Sequence, residues 1–187
     1  MPSSTLHDLQ ATAVELTSNE TQLDAIDKRA ERLNADFRCA ESATLEKDCA
    51  VLSKKHQSVA LKCTRTLENL QNALEALVEE ASLDQQRWIA AAQEKVTWCA
   101  DVAGDKYSIE AKLATVHDLL ASVEQGQAKT ETMTEKTQML KTVTPTSRHQ
   151  QLDRSVRQGQ DAWKTFLEQL DLTKYVLQCD VTSCDGL

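Results

Sequence analysis

The sequence predicts an all-α protein built from long helices packed side by side. Between Ser3 and Ala103 there is neither glycine nor proline; Gly104, Gly126, Gly159 and Gly186 are the only glycines, Pro2 and Pro145 the only prolines. Nothing in that first stretch breaks a helix. Only two Phe, two Tyr and three Trp are present, and short alternating β-branched or aromatic runs separated by turn residues, which strands require, are absent. Apolar residues instead recur in steps of three and four, the seam of helices that meet in coiled-coil fashion.

The first helix is expected to start at Ser3 or Ser4, either of which can cap it, and to run to Asn34 along Leu6, Leu9, Ala13, Leu16, Leu23, Ile26, Ala30 and Leu33. Residues 35–43 lack Gly and Pro, yet the seam slips by one residue between Phe37 and Leu45. One straight helix cannot keep both halves facing the same neighbour, so a turn is predicted there. A second helix follows from Thr44 to Ala103, through Leu45, Cys49, Leu52, His56, Val59, Cys63, Thr66, Leu70, Leu74, Leu77 and Ala81, then Trp88, Ala91, Lys95, Trp98 and Val102. At 1.5 Å per residue it would be about 90 Å long, a length suited to a rod.

Gly104-Asp105 reads as a helix stop followed by an N-cap. The third helix is expected over 106–141, with Gly126 costing about 1 kcal/mol relative to Ala. A turn at Pro145 follows, then Ser147-Arg148-His149-Gln150, which has the form of a capping box. The fourth helix is expected to reach Gln178 and the tail 179–187 to fray.

The elements repeat. Leu152, Val156, Gly159, Trp163, Phe166, Leu170, Thr173 and Leu177 stand 107 residues after Leu45, Cys49, Leu52, His56, Val59, Cys63, Thr66 and Leu70. The same offset carries the first helix's seam onto Leu113, Val116, Leu120, Val123, Thr130, Met133, Thr137 and Leu140. Sixteen positions without an insertion define a repeating unit.

This doubled pattern resembles the spectrin-repeat family of spectrins, dystrophin, plakins and nesprin-type linkers. Trp88-Ile89 with Glu94 is similar to the family's helix A motif, and Trp163, Phe166 and Leu170 to its helix C aromatic and seam. The resemblance implies a truncated repeat at 1–80 (helices B and C, helix A missing), a complete one at 81–178, and one long continuous helix joining them. His56 stands where the second repeat has Trp163, so the first lacks its large helix C aromatic. Cys99-Ala100-Asp101 with Gly104-Asp105-Lys106 favours the nesprin-like branch. The implied function is a non-enzymatic spacer in a cytoskeletal linker rod, cytoplasmic, cytoskeleton-associated or at the nuclear envelope through a parent protein. Its implied partners are actin-linked proteins or other spectrin-like chains. Without a helix A, a helix-recruiting or self-associating module is the rival reading; a long coiled-coil dimer tether is another.

The expected structural core is Trp88, Trp98, Leu113, Val116, Leu120, Leu152, Val156, Trp163, Phe166 and Leu170. The expected partner-helix face is Leu9, Leu16, Leu23, Leu33, Leu45, Leu52, Val59 and Leu70.

Other functions find little support. A net charge of −8 opposes a general grip on nucleic acid or anionic membrane; Lys54, Lys55, Lys62 and Arg65 read as a solvated face. No apolar run approaches the roughly 20 residues of a membrane span, and the first residues do not form a secretory signal. Six scattered cysteines read as reduced thiols. Cys49, His56 and Cys63 recur every seven residues, about 10 Å apart along a helix, too far to share one metal ion. Cys179 and Cys184 read as free thiols and Glu79-Glu80 as a solvated pair. No phosphate loop or His-Glu helix motif occurs, so no catalytic, metal or cofactor site is expected.

Overall fold

The computed structural model describes residues 2–101 and 104–184, with side chains described from 8 to 179. Four helices run in chain order: α1 (Pro2–Phe37), α2 (Ala40–Ala100), α3 (Lys106–Val143) and α4 (Thr146–Cys184), and no strand occurs among the described residues. The protein is all-α. It divides into two compact units, Met1–Asn72 and Ala73–Leu187. The division falls within α2, so that helix contributes to both. The second Trp-bearing part of the seam ends at Val102, which lies outside the described residues.

Unit 1 is a hairpin of α1 and the first half of α2. Its turn has a physical cause that needs no glycine. Arg38 adopts φ 44°, and its N–H donates to the Asn34 carbonyl at 3.0 Å, which is a left-handed stop on α1. A non-glycine residue there costs on the order of 1 kcal/mol. Ser42 offsets that cost by organising the start of α2: its hydroxyl oxygen accepts from Cys39 N–H at 3.2 Å and lies 3.0 Å from Asn34 Oδ1. Three positions into the helix, it closes the backward half of a capping box. The cap is thus Cys39, and α2 starts four residues before Thr44.

The hairpin seam is tied by polar groups. Asn34 Nδ2 donates to Glu46, Ser53 Oγ donates to Asp27, and the His56 ring nitrogen Nε2 meets the Leu16 carbonyl at 3.0 Å. Cys63 Sγ donates to the Leu9 carbonyl at 3.6 Å. Among the described residues of this unit, Ala30, Cys49 and Cys63 are the buried apolar side chains.

Unit 2 is a three-helix bundle whose core joins α2, α3 and α4. Ala92, Val96 and Cys99 of α2 pack with Ile109, Val116 and Leu119 of α3 and with Trp163, Phe166, Leu170 and Leu177 of α4. The buried stripe of α2 is Ala81, Gln85, Ala92, Val96 and Cys99, with Trp88 half-buried between them. The stripe read from the sequence is therefore corrected by one position after Trp88: Ala91, Lys95 and Trp98 face outward. Trp98 is 52% exposed and is not in the core. The small thiol of Cys99, completely buried, takes the place that the seam spacing had given to the indole.

Three rings meet in the bundle. Trp88, Trp163 and Phe166 lie with every pair of centroids 5.5 Å apart, at interplanar angles of 55°, 82° and 30°. They fit because Gly126 offers no side chain: a Cβ there would lie 2.5 Å from Trp163 and 2.6 Å from Trp88. One turn beyond Gly126 on α3 stands Thr130, where buried Gln85 of α2 is held, its Nε2 donating to Thr130 Oγ1 at 2.9 Å and to the Gly159 carbonyl at 3.1 Å. A buried amide so satisfied fixes helix register.

The α2–α3 junction follows its residue types. Gly104 has φ 148°, a conformation that favours glycine. Asp105 caps α3 by accepting from Ser108 N–H at 2.9 Å. Buried Lys112 donates through Nζ to the Asp101 carbonyl beyond the end of α2 and lies 5.9 Å from the Trp98 ring centroid, a cation placed at a helix C-terminus. At the next turn the Ser147 cap is corrected, because α4 starts at Thr146 and places Ser147 inside its first turn. The fourth helix also continues to Cys184, beyond the Gln178 limit read from composition; residues 185–187 lie outside the described part.

Two substitutions test this core. Trp163→Ala should destabilise unit 2 by about 3–5 kcal/mol, read from denaturant unfolding; an unchanged midpoint would remove Trp163 from the core. Gly126→Ala has an informative sign. In an open helix it would stabilise by about 1 kcal/mol, whereas overpacking against two indoles should cost about 1–3 kcal/mol.

Candidate functional site

The residues singled out for a partner helix gather on unit 1. Leu9, Leu16, Leu23 and Leu70 are half-buried, while Leu33, Leu45, Leu52 and Val59 are 43%, 45%, 52% and 49% exposed. Ile26 is also exposed, and a shallow groove between the helices is lined by Leu16, Leu23, Ile26, Leu52 and Val59 together with Asn19, Gln22, Lys55 and His56. Half-burial has a simple origin. Two helices side by side cover only the inner flank of each apolar stripe and leave the outer flank in water.

The remaining core positions lie within unit 2. Val116, Val156, Trp163, Phe166 and Leu170 are buried; Leu113 and Leu120 pack against the cluster partly buried; Leu152 is half-buried.

Sequence reasoning missed the polar ties across the seams, although one had a visible signal. Lys141 Nζ pairs with Asp153, and each stands 107 residues after its counterpart in the Asn34–Glu46 pair. The repeat therefore extends beyond apolar residues to a cross-helix bond at the same rung. Lys141 beside Asp153 holds that carboxyl below its ordinary range, the hydrogen bond outweighing a small opposing effect of burial.

Thiol environments differ sharply. Cys39 and Cys179 are exposed, while Cys49, Cys63 and Cys99 are buried. The Ser42 hydroxyl pulls the Cys39 thiol down from its usual range; burial pushes Cys99 up, with Lys112 opposing. Among the described residues no group of three or more His, Cys, Asp or Glu side chains could hold a metal ion, and no helix is long and apolar enough to cross a membrane. Along unit 2 the groove between α2 and α4 is lined by Ser82, Gln86, Ile89, Gln93, Gln158 and Ala162, among others, amides and small side chains.

No protein-family model matches the chain. It is similar to the muscle-specific protein 300 kDa of Drosophila melanogaster, at 22% identity over 128 residues, 67% of this chain and 1% of that protein. The chain thus spans about one hundredth of that relative's length. Similarity at this level loosely fits a structural role, and it does not assign a family.

Two measurements follow. Lys141→Met should let the Asp153 pKa rise toward the ordinary carboxylate value in an NMR titration. Because the folded-state pKa is depressed, the pair's contribution to stability is present above the unfolded carboxylate range and is lost as pH falls through the folded value. Thiol labelling read by mass spectrometry should modify Cys39 and Cys179 first and Cys99 last; equal rates at Cys39 and Cys99 would contradict the burial of the latter.

Proposed function

We propose that this chain is a non-enzymatic segment of a cytoskeletal linker of the spectrin-repeat kind, a helical spacer that also presents surface to other proteins. The observation that carries the reading is the doubled unit: one seam and one cross-helix bond recur at an offset of 107 residues, and a single helix, α2, supplies side chains to both copies. Repetition with a shared helix suits positioning, because each added copy extends the chain without new loops. Likeness to a very large muscle protein supports the same reading. In this proposal the protein acts in the cytoplasm on the cytoskeleton, or at the nuclear envelope through a parent protein, with actin-linked or spectrin-like partners and no cofactor.

A second reading has its own support. The exposed Leu33, Leu45, Leu52 and Val59 of unit 1 suit a surface that accepts a further helix. A coiled-coil dimer tether fits less well, since the bonds that close the Arg38–Cys39 turn would have to be given up.

The spacer reading is tested by replacing residues 70–74 with Gly-Ser-Gly-Ser-Gly. NMR relaxation should report one common tumbling time for both units in the natural chain and two separate times in the variant. Independent tumbling in the natural chain would overturn the spacer. Sedimentation should give 20.8 kDa at all concentrations; a 2:1 mass would favour the tether.

A further inference from the structure

One stretch of α2 differs in charge from the rest of the chain. Residues 49–67 contain no Asp or Glu but carry Lys54, Lys55, Lys62 and Arg65, in a protein of net charge −8. Ser58 stands among them. Lys54 and Lys55 precede it by four and three residues and Lys62 follows it by four, the spacings at which helix side chains are neighbours. The nearest acids on α2, Asp48 and Glu68, each lie ten residues away, about 15 Å along the axis.

This face is open. Ser58 lies two residues past His56, about 200° around the helix, whereas His56 and Cys63 bond to α1 carbonyls. Ser58 is exposed on the side turned away from α1; of the three lysines, also exposed, Lys55 alone lines the groove. Thr44, Thr64, Thr66 and Thr97 of α2 each return a hydrogen bond to the carbonyl four residues back. Among the described residues, neither the Ser58 hydroxyl nor the amines of Lys54, Lys55 and Lys62 has a hydrogen-bond or ion-pair partner.

We propose that Ser58 is a phosphorylation site, modified by a serine/threonine kinase that reads Lys54 and Lys55, and that its phosphate is then held by Lys54, Lys55 and Lys62. Kinases select substrates by charge pattern, and Ser58 is the one hydroxyl-bearing residue of the chain with a cation at both the third and the fourth place before it. Its Oγ attacks the γ-phosphorus of magnesium-bound ATP. The new O–P bond forms as the bond to the β–γ bridging oxygen breaks. ADP leaves with that electron pair, and the hydroxyl proton passes to the kinase's carboxylate base.

A kinase cleft takes an extended segment, so α2 has to open locally around Ser58. Unit 1 allows it: Leu52, Val59 and Leu61 are exposed, and single polar bonds tie His56 and Cys63 to α1. Once the helix closes again, the phosphate, with a charge of about −2, meets cations four residues to either side. The four cations of the stretch are then half neutralised.

The test incubates the full chain, under reducing conditions, with magnesium, ATP and the catalytic subunit of a cyclic-AMP-dependent kinase, an enzyme selective for upstream cations. Mass spectrometry locates the product. One phosphate per chain should appear at Ser58, be lost in Ser58→Ala and form at least tenfold more slowly when Lys54→Gln and Lys55→Gln are combined. None of these changes touches a buried side chain. In a phosphorus NMR titration the second pKa of the phosphate should lie below its ordinary value of about 6. It should return toward that value in Lys62→Gln, a position outside the residues the kinase reads. No phosphate at Ser58 in the folded chain, or modification of another hydroxyl in preference to it, would overturn the site. A second pKa that Lys62→Gln leaves unmoved would overturn the holding role of the lysines.

Discussion

The structure depends on places where a side chain is withheld. At Gly126 and Gly159 the third helix enters, because two indoles and one amide need the volume that a Cβ would take. Helices that pack side by side expose narrow stripes to one another, and a stripe of uniformly large residues holds neighbours apart. Removing bulk at two rungs lets Trp88 and Gln85 reach across all three helices. The three-ring cluster and the buried amide then set the spacing and register of the bundle.

Unit 1 shows what the same period yields without those gaps. Asn19 and Leu52 stand where unit 2 has its glycines, and His56 where it has Trp163. The hairpin is held at its seam by Asn34–Glu46, Ser53–Asp27 and the His56 bond to a carbonyl, polar ties with little buried apolar area behind them. Hydrophobic stabilisation scales with area removed from water. Unit 1 therefore leaves much of its available stabilisation unrealised, and its leucines stay at the surface.

Much of this was legible in the sequence. The absence of Gly and Pro from 3 to 103, the period and the 107-residue offset gave four helices and their order. Asp105 gave a correct cap because Gly104 before it removes ambiguity. Other features were illegible for physical reasons. The seam drawn through Ala91 and Lys95 put Trp98 in the core, but the stripe runs one position later, which buries Cys99 and leaves the indole beside Lys112. Ser147 had the form of a cap, yet the turn around Pro145 started α4 at Thr146, two residues sooner than that cap implies. The Arg38 stop carries no glycine, and Ser42 acts from within the helix, so neither could be found from turn composition. The polar rungs of the docking face were invisible until the hairpin set residues of α1 against those of α2.

The buried Gln85 has a mechanical corollary. Shifting its helix by one turn would strip the amide of Thr130 and Gly159 together and press it against hydrocarbon, a penalty met at the outset of sliding and unrelieved by partial movement. Apolar seams tolerate creep, since one leucine replaces another as they pass. Pinned at this internal peg, the bundle would resist small pulls with little yield and then give way at once, brittle where an all-leucine bundle would be ductile.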